Sequence, residues 1–200
     1  MSFYDKIQEN VRNSFNVRDE LKQMTEPELF NLAQMDRLDF AVCTLNVEGD
    51  LNVGMILRSA HLLGARECVI FGRRRFDRRS LVGADKYLEI RSVQGLIVVG
   101  DDVGIDPDAF LTWIASTNYT PIYIEHGGMN LTELPTTLRR ITQNHKTPLF
   151  VFGNEGTGIP TQLLTQHDAV IVSVPQRGVL RSYNVAATAA MVMWEAVRSW

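Results

Sequence analysis

The sequence predicts an α/β domain with a largely parallel sheet flanked by helices. Three observations carry this. Short apolar runs alternate with segments of helical spacing from residue 40 to the last helix. The late runs 149–152 and 169–174 end in loop chemistry, Gly153-Asn154-Glu155-Gly156 and Pro175-Gln176-Arg177-Gly178. Short apolar runs that end this way are how parallel strands deliver a ligand site to their carboxyl ends. No internal repeat or low-complexity tract interrupts the pattern.

Residues 1–39 read as a polar helical arm, separate from a domain over 40–200. Pro27 follows Thr25-Glu26 at a first-turn position. Leu29, Leu32, Met35 and Leu38 fall at helical spacing and are expected to dock on the body. Residues 40–47 form a first strand. Asn52 stands where the N-cap of a helix over 53–63 belongs, and Gly64 ends that helix. Arg58 lies inside it among Met55, Ile56, Leu57, Leu62 and Leu63, so it either snorkels or faces a partner. A second strand over 67–72 precedes Arg73, Arg74, Arg75, Arg78 and Arg79, with only Asp77 against them. Residues 80–87 are a loop or short helix. Residues 95–100 are a third apolar run, 107–118 a helix with Trp113 inward, and 120–125 a fourth run ending at Glu125-His126-Gly127-Gly128. A short helix over 136–144, the two late runs and a helix over 183–198 complete the chain.

At 45% apolar and 22% charged, the 200 residues can bury a real core. No apolar run approaches the roughly 20 residues of a membrane span, and the start MSFYDKIQEN lacks a signal-peptide pattern. Cys43 and Cys68 read as reduced core residues, and the expected location is cytoplasmic. Net charge is −3, but residues 1–50 carry 5 basic and 10 acidic side chains, so the remainder is +2. That sign argues against a generic nucleic-acid coat. The arginine loop still permits phosphate contact; the alternative is a solvated loop.

Several chemistries are excluded. The run Gly153–Gly158 has no Gly-Lys-Ser/Thr and no G-x-G-x-x-G, and it stands late in the chain. The four His show no zinc spacing, and no G-x-S-x-G elbow is present.

Three stretches together resemble the SpoU (TrmH-like) family of RNA ribose 2′-O-methyltransferases, in the SPOUT class. They are Asn52-Val53-Gly54-Met55-Ile56-Leu57-Arg58-Ser59-Ala60 with Gly64; Leu149-Phe150-Val151-Phe152-Gly153-Asn154-Glu155-Gly156 with Gly158-Ile159; and Val174-Pro175, Gly178 and Ser182-Tyr183-Asn184-Val185 with Ala187. The resemblance implies a C-terminal deep trefoil knot, bound S-adenosylmethionine and a homodimer. It implies catalytic roles for Asn52, Arg58, Glu155, Ser182 and Asn184. Gly153, Val174 and Tyr183 match positions whose backbone grips the cofactor, and Glu125 borders the same pocket. Arg73, Arg74, Arg75, Arg78 and Arg79 are the expected RNA contacts.

Tyr183 stands where the family usually has Leu, and Gln176 where Met is common. Methyl transfer from a sulfonium needs no metal, and none is expected. A guanidinium is protonated at physiological pH, so the role expected of Arg58 is positioning and charge stabilisation. Transfer RNA is expected ahead of ribosomal RNA, because no separate globular RNA-binding unit precedes the domain. A second reading keeps cofactor and RNA binding but loses turnover through Tyr183. A third, a nucleotide-dependent oxidoreductase, lacks its glycine fingerprint.

Overall fold

A computed structural model describes residues 16–72, 76–99 and 102–200. Residues 1–15 of the arm, Arg73, Arg74, Arg75, Gly100 and Asp101 lie outside the described residues. In chain order the elements are α1 (Glu26–Met35), β1 (Ala41–Leu45), α2 (Asp50–Leu62), β2 (Glu67–Phe71), α3 (Arg78–Leu81), β3 (Glu89–Val93), β4 (Leu96–Val99), β5 (Asp102–Ile105), α4 (Pro107–Ala115), β6 (Tyr119–Asn130), α5 (Leu134–Gln143), β7 (Thr147–Phe152), α6 (Thr161–Leu164), β8 (Val170–Ser173) and α7 (Val185–Arg198).

Six strands form one sheet in the order β3-β2-β1-β7-β6-β8, and every pairing in it is parallel. The central strands β1, β2 and β7 are buried along their whole length. That burial on both faces is why AVCTL, ECVIF and TPLFVF read as continuous apolar runs rather than as alternations. One face packs Val42, Cys68, Ile70 and Phe150 against α2, α5 and α7; the other packs Cys43, Val69, Phe71 and Val151 against Phe110 of α4 and Leu163 of α6. Cys43 and Cys68 therefore sit on opposite faces of the sheet. Both are free, and burial pushes both thiols up.

The structure departs from the pattern reading in four places. The run 95–100 does not join the main sheet: β4 pairs antiparallel with β5 in a separate hairpin. The third strand on that side of the sheet is β3, whose sequence EIRSV is mixed because it pairs on one side only and is largely exposed. The fourth run does not stop at residue 125. β6 continues to Asn130 through a bulge at which Val172 faces both Ile124 and Met129. On α1, Leu29 is buried as expected, but Met35 is 84% exposed. The arm is tied to the turn after α3 by Arg37 donating to the Tyr87 carbonyl (3.1 Å) and by the Lys86–Glu26 ion pair (2.9 Å).

Candidate active site

The carboxyl ends of β1, β6, β7 and β8 meet at one place, and two loops enclose it. The first is the turn after β7. Asn154 is 8% exposed and uses its whole amide. Its Nδ2 donates to the Asn46 carbonyl at the end of β1 (2.9 Å), and its Oδ1 accepts from the backbone N–H of Gly156 (2.8 Å) and Thr157 (3.0 Å). Asn46 itself takes φ 45°, the left-handed region that Asn tolerates. A Cβ on Gly153 would lie 2.5 Å from the Gly158 carbonyl carbon, so the turn closes only with glycine there. Asn154→Ala leaves three backbone groups without a partner. It should cost about 2 kcal/mol, a Tm lower by roughly 4–8 °C for a chain of this size, read in a thermal melt.

The neighbouring Glu155 reaches back across the cleft. Its carboxylate accepts from the backbone N–H of Glu48 (3.0 Å) and Gly49 (3.1 Å) and from Asn52 Nδ2 (2.8 Å). Asn52 Oδ1 in turn accepts from Asn184 Nδ2 (3.0 Å), and Asn184 Oδ1 caps α7 by accepting from Ala186 N (2.9 Å) and Ala187 N (3.2 Å). The result is a continuous polar chain from the β7 turn, through α2, to the start of α7. Burial pushes the Glu155 carboxyl up, but the donors from Asn52, Glu48 and Gly49 outweigh it and hold it below its usual value. The cap of α2 is Gly49, not Asn52. The helix begins three residues earlier than the spacing suggested, which frees the Asn52 amide for Glu155 and Asn184. A side chain at position 49 would run into both: its Cβ would lie 2.6 Å from Asn52 Nδ2 and 2.9 Å from Glu155 Oε1.

The second loop is the segment 174–184. With the first it encloses a cavity of about 580 Å³, lined by Ile124, Glu125, Gly153, Val174, Ser182 and Tyr183 among others. The β6 bulge puts Glu125 in the wall. Its Oε1 accepts from His126 N (2.9 Å) and its Oε2 from Ile159 N (3.4 Å). The Tyr183 hydroxyl donates to the Pro175 carbonyl (3.3 Å), which lays the ring along the loop. Ser182 is exposed to the cavity. The size suits a nucleoside-sized ligand. Two carboxylates, main-chain groups at glycine and the apolar Ile124, Leu164 and Val174 fit an adenosine carrying positive charge.

Four of the five expected reactive residues are thus brought together, namely Asn52, Glu155, Ser182 and Asn184. Arg58 is not among them. Six residues along a helix place it about 9 Å further on and about 120° around from Asn52. It is exposed there and lines a different cavity of about 840 Å³ with His61, Leu62, Trp194 and Val197. The arginine loop also differs from expectation in its described part. Arg79 grips both oxygens of Asp77 (2.6 to 3.1 Å), and Arg78 lies 3.7 Å from Asp85. Asn154 is expected at a strand end beside the site, but its role in closing the turn is not part of that expectation. The local signal for that role is an Asn-x-Gly one residue after a buried strand.

The profile of the family described as "SpoU rRNA Methylase family" matches residues 39–194. The chain belongs to that family. As a SpoU family member it is 29% identical over 156 residues to the 23S rRNA (uridine(2479)-2′-O)-methyltransferase of Streptomyces viridochromogenes, a match covering 74% of this chain and 48% of that enzyme. The A. aeolicus TrmH/SpoU tRNA modifying enzyme superposes with a TM-score of 0.65 at 19% identity, over 87% of this chain and 81% of that one. The SpoU methyltransferase AviRb from Streptomyces viridochromogenes, in complex with the cofactor AdoMet, superposes with a TM-score of 0.60 at 26% identity, over 81% and 58%. The chain spans less than half the length of the curated relatives it matches.

Proposed function

We propose that this chain is an S-adenosylmethionine-dependent methyltransferase acting on ribose 2′-hydroxyls of RNA, as a cytoplasmic homodimer. The observation that carries this is a glycine-tight cavity opening onto the polar chain Glu155–Asn52–Asn184 and onto Ser182. In this reading residues 40–200 form the methyltransferase domain and 1–39 an arm, of which the described part, 16–39, docks beside it. The segment 174–184 threads the preceding loop as a trefoil knot. Backbone groups of Gly153, Val174 and Tyr183 hold the adenosine end, with Glu125 at the border. Bound S-adenosylmethionine would supply a methyl group already activated on a sulfonium.

The chain's own residues then solve the remaining problem, a sugar hydroxyl that is a poor nucleophile. Glu155, fixed by three donors, sets the position of α2 and of Asn52. Asn184 and Ser182 orient the hydroxyl. Arg58 stabilises the developing alkoxide, whose proton passes to water, and grips the adjoining phosphate, but from the partner subunit. Two observations support that last assignment. The helix geometry keeps Arg58 away from its own chain's cluster. Leu51, Met55 and Leu62 form an exposed apolar stripe on the Arg58 face of α2, and Trp194 of α7 is exposed beside it. The tether from Tyr183 to Pro175 keeps the ring's bulk along the loop, which favours an active enzyme over a non-catalytic binding module.

Relatives are named for both transfer and ribosomal RNA, so both belong in the test. The protein is incubated with methyl-labelled S-adenosylmethionine and each RNA, and the RNA is digested to nucleosides. Label in 2′-O-methyl nucleosides is expected. Tight donor binding with no labelled nucleoside in either RNA would overturn the reading.

A further inference from the structure

We infer that Arg177 and Arg181 form a phosphate clamp that draws the RNA backbone across the mouth of the cavity; this rests on the RNA reading above. The segment 175–182 carries these two guanidiniums and no carboxylate. Both are exposed, and neither has an ion pair or hydrogen bond among the described residues. Most other arginines among the described residues are held by a partner, Arg58 and Arg140 excepted. Arg66 pairs with Asp39 (3.0 Å), Arg91 with Glu67 (3.0 Å), Arg198 with Glu195 (2.6 Å), and Arg79 with Asp77 (2.6 Å). The pairing matters most for Arg79, a residue that pattern alone offers for RNA. Its fork is already closed on a carboxylate that caps α3.

Position points the same way. Arg181 lines the cavity and immediately precedes Ser182, so a phosphate held there lies next to the hydroxyl that Ser182 would orient. Between the two guanidiniums, Val179 is 103% and Leu180 79% exposed. The tip of the loop therefore stands off the body and leaves both forks turned to solvent rather than folded back on the protein. A planar fork with five donors suits phosphate oxygens, and an unpaired one binds phosphate without first giving up a partner. The gain from such contacts comes largely from released counterions, and it carries a salt dependence that can be measured.

The test uses the full-length protein with fluorescently labelled bulk transfer RNA and ribosomal RNA, titrated across a sodium chloride series. Arg177→Gln, Arg181→Gln and their double variant are compared with an Arg78→Gln/Arg79→Gln control. The slope of log Kd against log salt is expected to fall by about 1 for each replaced clamp residue, and by less in the control. Arg177 does not line the cavity, so Arg177→Gln should bind S-adenosylmethionine as wild type does. A double variant with undiminished RNA affinity and slope overturns the clamp and leaves the methyltransferase reading intact. A double variant that turns monomeric in light scattering also overturns it, since the loop is then a subunit contact. Clamp variants that lose slope, in a protein that methylates neither RNA, uphold the clamp and sink the reading of the preceding subsection.

Discussion

Glu155→Ala is expected to lower methyl transfer about 100-fold, the scale set by a small displacement of positioning groups. The carboxylate is the common acceptor of Glu48 N, Gly49 N and Asn52 Nδ2, so its removal unfastens the turn before α2 and the amide that leads to Asn184 in one step. Glu155→Gln should rescue little, because one of its two acceptor oxygens becomes an N–H₂ group facing N–H donors. The same donors give the site an acid limit. The folded carboxyl is held below its usual value, whereas the unfolded one titrates near roughly 4.3. Stability from this group is therefore complete above about pH 4.3 and is lost as pH falls through the lower, folded value. Melting curves taken from roughly pH 6 down to pH 3 should show wild type losing more than Glu155→Ala over that acid window. Equal losses would mean that the network contributes nothing to the fold.

Purified mixed dimers of Arg58→Ala and Ser182→Ala chains should recover about half of wild-type activity, and the unsorted co-expressed pool about a quarter, although each variant alone is inactive. If subunits assort at random, half of the dimers are mixed, and each mixed dimer has one site with both residues intact. Co-expression of differently tagged chains, tandem purification and methyl-transfer assay read this directly. No recovery in purified mixed dimers would place Arg58 in its own chain's site, against the separation of about 120° around α2 from Asn52.

The layered α/β architecture was legible because buried parallel strands leave unbroken apolar runs, as at residues 149–152. Glu89–Val93 was not, because a strand paired on one side only keeps its polar residues. Residues 95–100 misled for the opposite reason: an apolar run says that a strand forms, not which sheet takes it. At the site, the polar residues at strand ends were readable one by one, but their partners were not. Asn52 looked like a cap because Asn favours that position. Only the fold shows Gly49 capping instead, with Asn184 capping the last helix while bonding Asn52. The arginines of the 73–79 loop illustrate the same limit, since a count of charges does not show that Asp77 already holds Arg79.

The strand order has a kinetic consequence. β7 lies between β1 and β6, and the bonds that assemble the site join positions 107, 108 and 132 residues apart. Each needs a long loop to close before it gives anything back, so contact order is high and folding slow. Until the β7 stretch inserts, β1 and β6 each present an open edge to other nascent chains. The candidate site therefore depends on long-range contacts, and a slow refolding phase is expected to report its assembly.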